Sequence, residues 1–287
     1  MRIKNINNLV VNKLTPKIGI EINNINLSKP LISKDIELIY KYLINNKVIF
    51  FRNQIINPKM QLTFAKYFGS IEEPHPVYPH VPKYKNIILL KNNKKNPPDT
   101  DVWHTDVTFR SEPAFASILY SKTIPPTGGD TLWSCLTAVY DSLPINIKKF
   151  IASLKAVHDM GDFRNTFTIG EKIGKAKKLN HGFKKFGSSI HSVVKIHPIT
   201  KKKLLFINPG FTNHIIGLNS TDSNNLLNYL FTFMNKPEFQ VRFKWTANTI
   251  AMWDNRCTMH YAIGDYMPNQ RIMHRVTIKN DKRDKGL

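Results

Sequence analysis

The chain has 287 residues, of which 42 are Lys or Arg and 20 are Asp or Glu, so its formal net charge is +22. This length suffices for one domain with a sizeable core, and two cysteines, Cys135 and Cys257, are too few for a disulfide framework, which favours a reducing compartment. The sequence contains no run of about 18 apolar residues and no apolar leader segment, so we expect a cytoplasmic protein without a membrane span.

The positive charge has two interpretations. It is typical of proteins that bind nucleic acids. However, the basic residues are spread along the whole chain among many Asn and Ile residues, as in Lys91–Asn96, which is the bias of an AT-rich gene. We therefore expect no specific nucleic-acid partner. A general attraction for small anions follows under either interpretation.

The first predicted elements, over about residues 30–70, are two helices that flank a strand. Ser33 is the expected N-cap of the first helix, because apolar residues then recur at helical spacing. These residues are Ile36, Ile39, Tyr40 and Leu43. The apolar run Val48–Phe51 predicts the strand. Asn57 and Pro58 predict the start of the second helix, with proline at its first position, and Gly69 predicts its end.

From residue 86 onward, short β-rich segments separated by turn signals dominate. The predicted strands are Asn86–Leu90, Ser117–Tyr120, Thr131–Ser134, Val193–Ile196, Leu204–Ile207, Val241–Trp245, Ile250–Trp253 and Ile272–Ile278. Two helices interrupt them, one after Pro144 that extends to Leu154 and one over Asn224–Met234. This pattern predicts a mainly β (α+β) protein with flanking helices and a double-stranded β-helix (jelly-roll) core. We expect a single domain over residues 1–287. The segment from about 159 to 190 is either a lid or a variable surface loop.

One short segment has the composition of a metal site. In Trp103–Phe109, a strand would place His104 and Asp106 on the same face, because residues two apart in a strand share a face. Two histidines and one carboxylate are the ligand set of non-haem iron(II) oxygenases. A His-x-Asp pair alone is also compatible with a hydrogen-bonded surface pair. The third ligand would be His260, for which the alternative is a hydrogen-bonded core histidine.

Two arginines follow on a predicted strand. Arg271 and Arg275 are four residues apart, so both side chains would lie on one face. A buried guanidinium needs an anionic partner, and paired donors suit carboxylates and sulfonates. The alternative is a structural ion pair with Asp254 or Asp265.

Several longer motifs now point to one family. They are His75–Tyr78, Trp103–Phe109, Thr127–Thr131, Pro237–Arg242, Trp253–Arg256, His260–Tyr261 and Arg271–Arg275. With them the chain resembles the taurine dioxygenase (TauD/TfdA-like) family of Fe(II)/2-oxoglutarate-dependent dioxygenases, over about residues 14–281. The resemblance implies hydroxylation of a small sulfonate, with taurine as the first candidate. The products would be sulfite and an aldehyde, with succinate and CO2 from 2-oxoglutarate and O2.

The resemblance also implies a role for each matching residue. The implied iron ligands are His104, Asp106 and His260, and the implied 2-oxoglutarate contacts are Thr131 and Arg271. The implied substrate contacts are His75, Tyr78, Thr100, Phe163, Phe211 and Arg275. One of these departs from the family pattern, because Thr100 stands where the family usually has an asparagine that meets the substrate amine region. Threonine keeps a polar group but not the amide carbonyl.

Three other functions compete with this one. The same machinery would serve an alkylsulfate, an aryloxyacetate or another small anion. A basic nucleic-acid-binding protein with a similar shell would bind DNA in a salt-sensitive manner and consume no oxygen. A decayed enzyme is a third alternative, against which the complete set of candidate ligands and both arginines argue. We also expect a homo-oligomer, a dimer or a tetramer.

Overall fold

A computed structural model of the chain describes residues 2–4, 9–74, 78–160 and 187–284. The helices in these ranges are α1 (Ser33–Asn46), α2 (Pro58–Lys66), α3 (Leu136–Ser142), α4 (Ile145–Ile151) and α5 (Ser220–Met234). The strands are β1 (Arg2–Lys4), β2 (Val10–Lys13), β3 (Ile20–Asn23), β4 (Val48–Phe51), β5 (His80–Val81), β6 (Tyr84–Asn92), β7 (Ala116–Thr123), β8 (Thr131–Cys135), β9 (Lys155–His158), β10 (Ser189–Ser192), β11 (Val194–Ile196), β12 (Lys203–Leu205), β13 (Thr212–Ile215), β14 (Gln240–Phe243), β15 (Ile250–Asp254), β16 (Thr258–Ala262) and β17 (Arg271–Ile278). Within the described ranges, no helix is long and apolar enough to cross a membrane.

Nine strands form one large sheet in the order β1-β2-β3-β4-β15-β7-β17-β6-β5. A smaller sheet, in the order β14-β8-β16, packs against one face of it. The contact is direct, since the rings of Phe50 in β4 and Phe243 in β14 stack with their centroids 3.8 Å apart. A third sheet has the order β10-β9-β13, and its strands β9 and β10 contact Thr108 through His158 and His191. The two facing sheets with helices outside them confirm the predicted mainly β class with a jelly-roll core.

The central strands of the large sheet are buried on both faces, which explains why their sequences are continuously apolar. In β4, Val48 and Phe50 belong to the inner cluster between the sheets. Ile49 and Phe51, which point the other way, belong to the outer cluster that includes Ile39 of α1. The outer cluster therefore holds the helices against the sheet, and the inner cluster surrounds the space where the site forms.

Several predicted boundaries need correction. The Ser33 N-cap is wrong, since Ile32 occupies the cap and makes no side-chain cap hydrogen bond. The Asn57 cap is confirmed, because its side chain accepts a hydrogen bond from the Met60 amide. The second helix ends at Lys66, before Gly69.

The strand geometry assumed for His104 and Asp106 does not form. His104 makes an isolated β-bridge, and residues 106–109 form a turn in which Val107 has a φ of 52°. The segment predicted as a loop from about 159 to 190 lies between β9, which ends at His158, and β10, which begins at Ser189. Residues 161–186 of that loop lie outside the described ranges.

Candidate active site

Two imidazoles are brought together by backbone pairing. The amide of His104 donates to the carbonyl of His260 at 3.0 Å, and the amide of His260 donates back to the carbonyl of His104 at 2.8 Å. Residues directly opposite each other in an antiparallel pair project on the same face. The two rings accordingly lie with their centroids 4.1 Å apart. The contact between Nδ1 of His104 and the carbonyl of Val102, at 2.7 Å, makes Nδ1 the protonated nitrogen and leaves Nε2 with its lone pair.

The carboxylate reaches the same point through the turn. Asp106 lies next to Val107, whose left-handed backbone is rare for a β-branched residue. Oδ2 of Asp106 accepts a hydrogen bond of 2.6 Å from Ser117 in β7. Ser117 in turn accepts from the Asn255 amide at 3.0 Å, and the carbonyl oxygen of Asn255 accepts from the Trp253 indole at 2.8 Å. This chain of hydrogen bonds fixes Oδ2, while Oδ1 faces Nε2 of His260 at 4.0 Å and also accepts a hydrogen bond from Arg275 at 3.0 Å.

A glycine allows a neighbouring chain segment to approach the site. A Cβ added to Gly210 would lie 2.9 Å from Cβ of His104. The Gly210 amide donates to the carbonyl of Trp103 at 3.0 Å. The close approach of these two backbones therefore requires glycine at position 210.

The protonation states suit metal binding. Burial lowers the pKa of His104, although Asp106 partly opposes this effect. Burial, together with the neighbouring His104, lowers the pKa of His260 well below its ordinary value. Burial alone would raise the pKa of Asp106, but the Arg275 guanidinium and the two histidines outweigh it, so the pKa of this carboxyl lies below its usual range. Two neutral imidazoles and one carboxylate result.

These three side chains fit a metal ion. One ligand atom from each of His104, Asp106 and His260 lies within 4.8 Å of the others, and all three residues are buried. Nδ1 of His260 is itself buried with no partner in the described part of the chain. Two nitrogens and one oxygen on one side of a metal leave coordination positions open for other ligands.

A second group of potential metal-ligating residues has its donor atoms engaged in other interactions. His197, Asp254 and Cys257 also lie within 4.8 Å of one another. However, Arg256 occupies both carboxylate oxygens of Asp254, at 2.9 and 2.7 Å. Nδ1 of His197 accepts from the Ile199 amide at 3.2 Å, so Nε2 carries the hydrogen that points to Asp254. Burial raises the pKa of the Cys257 thiol well above its ordinary value. This group is therefore a structural ion-pair cluster.

The two predicted arginines both lie inside. Arg271 and Arg275 are 5% and 7% exposed and are separated by the equally inward Met273 of β17. Nη2 of Arg271 lies 3.4 Å from Oγ1 of Thr131, which also accepts a 2.9 Å hydrogen bond from the Trp245 indole. Among the described residues no carboxylate lies within 4.0 Å of Arg271. An unpaired buried guanidinium beside a hydroxyl is suited to an anionic ligand.

The alternative ion pairs with Asp254 and Asp265 do not form. Asp254 pairs with Arg256, and Asp265 accepts from the Gly129 amide. Arg275 instead donates to Oδ1 of Asp106 at 3.0 Å, next to the candidate metal ligands.

Aromatic side chains line the space around these groups. Tyr78 is 8% exposed, and its ring centroid lies 6.0 Å from the guanidinium carbon of Arg275. Its hydroxyl donates to Asp99 at 3.3 Å. Phe211 packs edge-on against the His104 ring at 6.3 Å. Thr100 is half-buried, and its carbonyl accepts from the Ala262 amide at 3.3 Å.

Two predicted substrate contacts, His75 and Phe163, lie outside the described ranges. Three residues that orient candidate site residues by hydrogen bonds were not predicted from the sequence, namely Ser117, Asn255 and Trp245. A buried serine within an apolar strand is a signal that could have identified Ser117. The other two depend on contacts between distant parts of the chain.

Comparison with known proteins now bears on the site. Residues 11–277 match the model of a family described as "Taurine catabolism dioxygenase TauD, TfdA family". An alkylsulfatase from Acinetobacter baylyi is 36% identical over 95% of this chain and 86% of its own length. An alpha-ketoglutarate-dependent sulfate ester dioxygenase from Pseudomonas putida is 35% identical over 95% and 90%. The crystal structure of a taurine dioxygenase from Burkholderia xenovorans superposes with a TM-score of 0.80, at 31% identity over 95% of this chain and 90% of that one.

Proposed function

Because the chain belongs to the TauD/TfdA family of taurine catabolism dioxygenases, we propose that it uses iron(II) and 2-oxoglutarate to hydroxylate a small organosulfur anion. The observation that carries the proposal is the convergence of His104, Asp106 and His260 within 4.8 Å of one another. The two inward arginines beside them support it, since a dicarboxylate cosubstrate and an anionic substrate each need a cationic partner.

His104, Asp106 and His260 would hold the iron. When bound there, iron(II) supplies the activation of dioxygen that is coupled to decarboxylation of 2-oxoglutarate to succinate and carbon dioxide. The contribution of the chain is to place the three ligands before the metal arrives. Two hydrogen bonds support this role, since His104 donates to the Val102 carbonyl and Ser117 donates to Asp106.

Arg271 and Thr131 would bind the distal carboxylate of 2-oxoglutarate. The hydroxyl oxygen of Thr131 already accepts from Trp245, so its own hydrogen is available for the carboxylate. A guanidinium and a hydroxyl side by side provide three or more donors on one side of the ligand. This placement would orient the oxo-acid end of the cosubstrate toward the histidines.

Arg275 and His75 would bind the anionic head of the substrate, and Tyr78, Phe163 and Phe211 would pack against its carbon chain. The ion pair between Arg275 and Asp106 places the guanidinium next to the candidate metal ligands. A substrate anion held there would bring its nearest carbon to the reacting centre, and the aromatic side chains would exclude water.

For the substrate, a sulfonate such as taurine is the first candidate. The Asp99 carboxylate, 3.3 Å from the Tyr78 hydroxyl, supports it by offering a partner for an ammonium group. A sulfate ester is the second candidate, because two relatives at 36% and 35% identity are named for sulfate esters. Hydroxylation next to the leaving group would release an aldehyde, with sulfite from a sulfonate or sulfate from a sulfate ester.

A substrate panel separates these candidates. The purified protein with iron(II), ascorbate and 2-oxoglutarate would be given taurine, an unsubstituted alkylsulfonate, an alkyl sulfate of similar length and an aryloxyacetate. Succinate, sulfite and sulfate would be measured in each case. We expect substrate-dependent succinate with one of the two sulfur anions released in equal amount. Succinate formation with the aryloxyacetate alone would contradict an organosulfur substrate, and no succinate with any substrate would contradict the proposal as a whole.

A further inference from the structure

Tyr266 is a buried side chain that the proposed mechanism does not use. It is 2% exposed, and its hydroxyl oxygen is buried with no hydrogen-bond partner among the described residues. A buried polar group without a partner costs free energy, and such groups are rare in native proteins. This hydroxyl therefore points to a ligand that would complete its hydrogen bonding.

The surroundings of Tyr266 identify the ligand. Its ring centroid lies 6.0 Å from the guanidinium carbon of Arg271. The guanidinium lies beside the hydroxyl, and Nε of Arg271 is also buried without a partner among the described residues. Two buried donors that are adjacent and unsatisfied match the two oxygens of a carboxylate.

Tyr266 is held firmly in this position. A Cβ added to Gly129, whose φ is 71°, would lie 3.2 Å from the Tyr266 ring and 3.3 Å from Cδ of Arg271. The Gly129 amide donates to Asp265 at 2.8 Å, and the Tyr266 carbonyl accepts from the Asn269 amide at 2.9 Å. The turn before β8 thus packs against both side chains at once and fixes their spacing.

The protonation state of the Tyr266 hydroxyl suits a hydrogen-bond donor. Burial raises the pKa of Tyr266, and this effect exceeds the opposing one of the Arg271 guanidinium. The hydroxyl therefore keeps its proton at neutral pH and can donate it to an anion.

We propose that the Tyr266 hydroxyl donates a hydrogen bond to the distal carboxylate of 2-oxoglutarate, beside Arg271 and Thr131, and so contributes to the selection of an oxo acid with a second carboxylate. This inference rests on the proposed function. It assigns Tyr266 as a cosubstrate-binding residue whose contact is with the distal carboxylate and not with the oxo-acid end.

The test is calorimetric titration of the manganese(II)-loaded protein and its Tyr266→Phe variant with 2-oxoglutarate. A hydrogen bond to a charged group predicts a Kd about tenfold to a hundredfold higher for the variant. Titration with 2-oxopentanoate, which has the same chain length but no distal carboxylate, should give equal Kd values for the two proteins. The melting temperature without ligand should be unchanged or higher, because only an unsatisfied hydroxyl is removed.

Tyr42→Phe is a matched control. The Tyr42 hydroxyl is also buried without a partner in the described part of the chain, but Tyr42 lies on α1 and packs against the outer cluster. We expect no change in either titration for this variant. Equal 2-oxoglutarate affinity in Tyr266→Phe and wild type would overturn the inference, as would equal weakening for both oxo acids. If wild-type protein does not bind 2-oxoglutarate at all, the proposed function itself fails.

Discussion

At the residue scale, the candidate metal site depends on its three metal-ligating side chains and also on the side chains that orient them by hydrogen bonds. Ser117 is fully buried in β7, and its hydroxyl bonds to Asp106 and to the Asn255 side chain. Its hydroxyl fixes one carboxylate oxygen while the other faces the histidines. The orientation of Asp106 is therefore set by a residue that would not itself contact the metal.

This predicts a specific effect of Ser117→Ala. Loss of the hydrogen bond should lower manganese(II) affinity about tenfold or more, measured by equilibrium titration of the purified variant. Ser121→Ala is the matched control. Ser121 is equally buried in the same strand, but its hydroxyl donates to the carbonyls of Thr246 and Thr249. Similar metal affinity in Ser117→Ala and wild type would contradict the claim that the Ser117 hydroxyl orients Asp106 for metal binding.

Substitution of the two arginines should weaken the binding of two different molecules. Arg271→Ala should weaken 2-oxoglutarate binding, and Arg275→Ala should weaken substrate binding, each by about 2–4 kcal/mol, or roughly 30- to 1000-fold in affinity. Each variant is the control for the other, because the two residues share one face of β17. Separate titrations of cosubstrate and of the substrate found in the panel measure the effects. If either variant loses both affinities equally, the assigned division of roles is wrong.

Much of the site could be predicted from residue types, but its geometry could not. The ligand set and both arginines are visible as a His-x-Asp pair, a distant histidine and an i, i+4 arginine pair. The strand assumed for His104 and Asp106 is instead a β-bridge followed by a turn at Val107. The register of that bridge depends on a pairing across more than 150 residues, which local periodicity does not encode.

At the scale of elements, a three-stranded sheet supports the turn that carries Asp106. His158 in β9 contacts Oγ1 of Thr108 at 3.0 Å. His191 in β10 contacts the carbonyls of Thr108 and Arg110 through Nε2 at 2.8 and 3.0 Å. Both carbonyls accept, so Nε2 of His191 carries the hydrogen. The turn is therefore attached to β9 and β10 by buried imidazoles.

This attachment predicts a pH dependence of stability. Burial lowers the pKa of His158 to about 3 from 6.5. The unfolded chain then binds the proton more readily than the folded one, so stability is full above about pH 6.5 and falls as the pH is lowered toward 3. Between pH 6.5 and 5 the loss from this residue should be about 2 kcal/mol.

Urea unfolding of wild type and His158→Gln at several pH values measures this contribution. The variant should be less stable at pH 7 but should show a shallower loss on acidification. His214→Gln is the matched control, because His214 is exposed on the neighbouring β13. Parallel pH profiles for His158→Gln and wild type would contradict the assignment.

Elements with strong local patterns were predicted, and elements defined by tertiary pairing were not. β4 is continuously apolar and the Asn57-Pro58 start is a local capping signal, so both are confirmed. β16 was missed, because Thr258–Ala262 mixes polar and apolar residues around His260. Its pairing with β8 makes it a strand.

At the scale of the whole molecule, the net charge of the chain is distinct from the charge inside the candidate site. The net charge of +22 is spread over the chain, whereas the proposed site would use Arg271 and Arg275, which the jelly-roll core buries. Affinity for an organosulfur anion should thus depend on these two residues more than on total charge. The single domain and the homo-oligomer expected from the sequence stay predictions.

The central claim is that one metal is held by His104, Asp106 and His260. Its most direct test is the anaerobic stoichiometry of iron(II) bound to wild type, His260→Gln and His197→Gln. His197 belongs to the second His/Asp/Cys group, whose donors are already paired. We predict one tightly bound iron per chain in wild type and in His197→Gln, and none in His260→Gln. Iron binding retained in His260→Gln, or lost only in His197→Gln, would contradict the assignment.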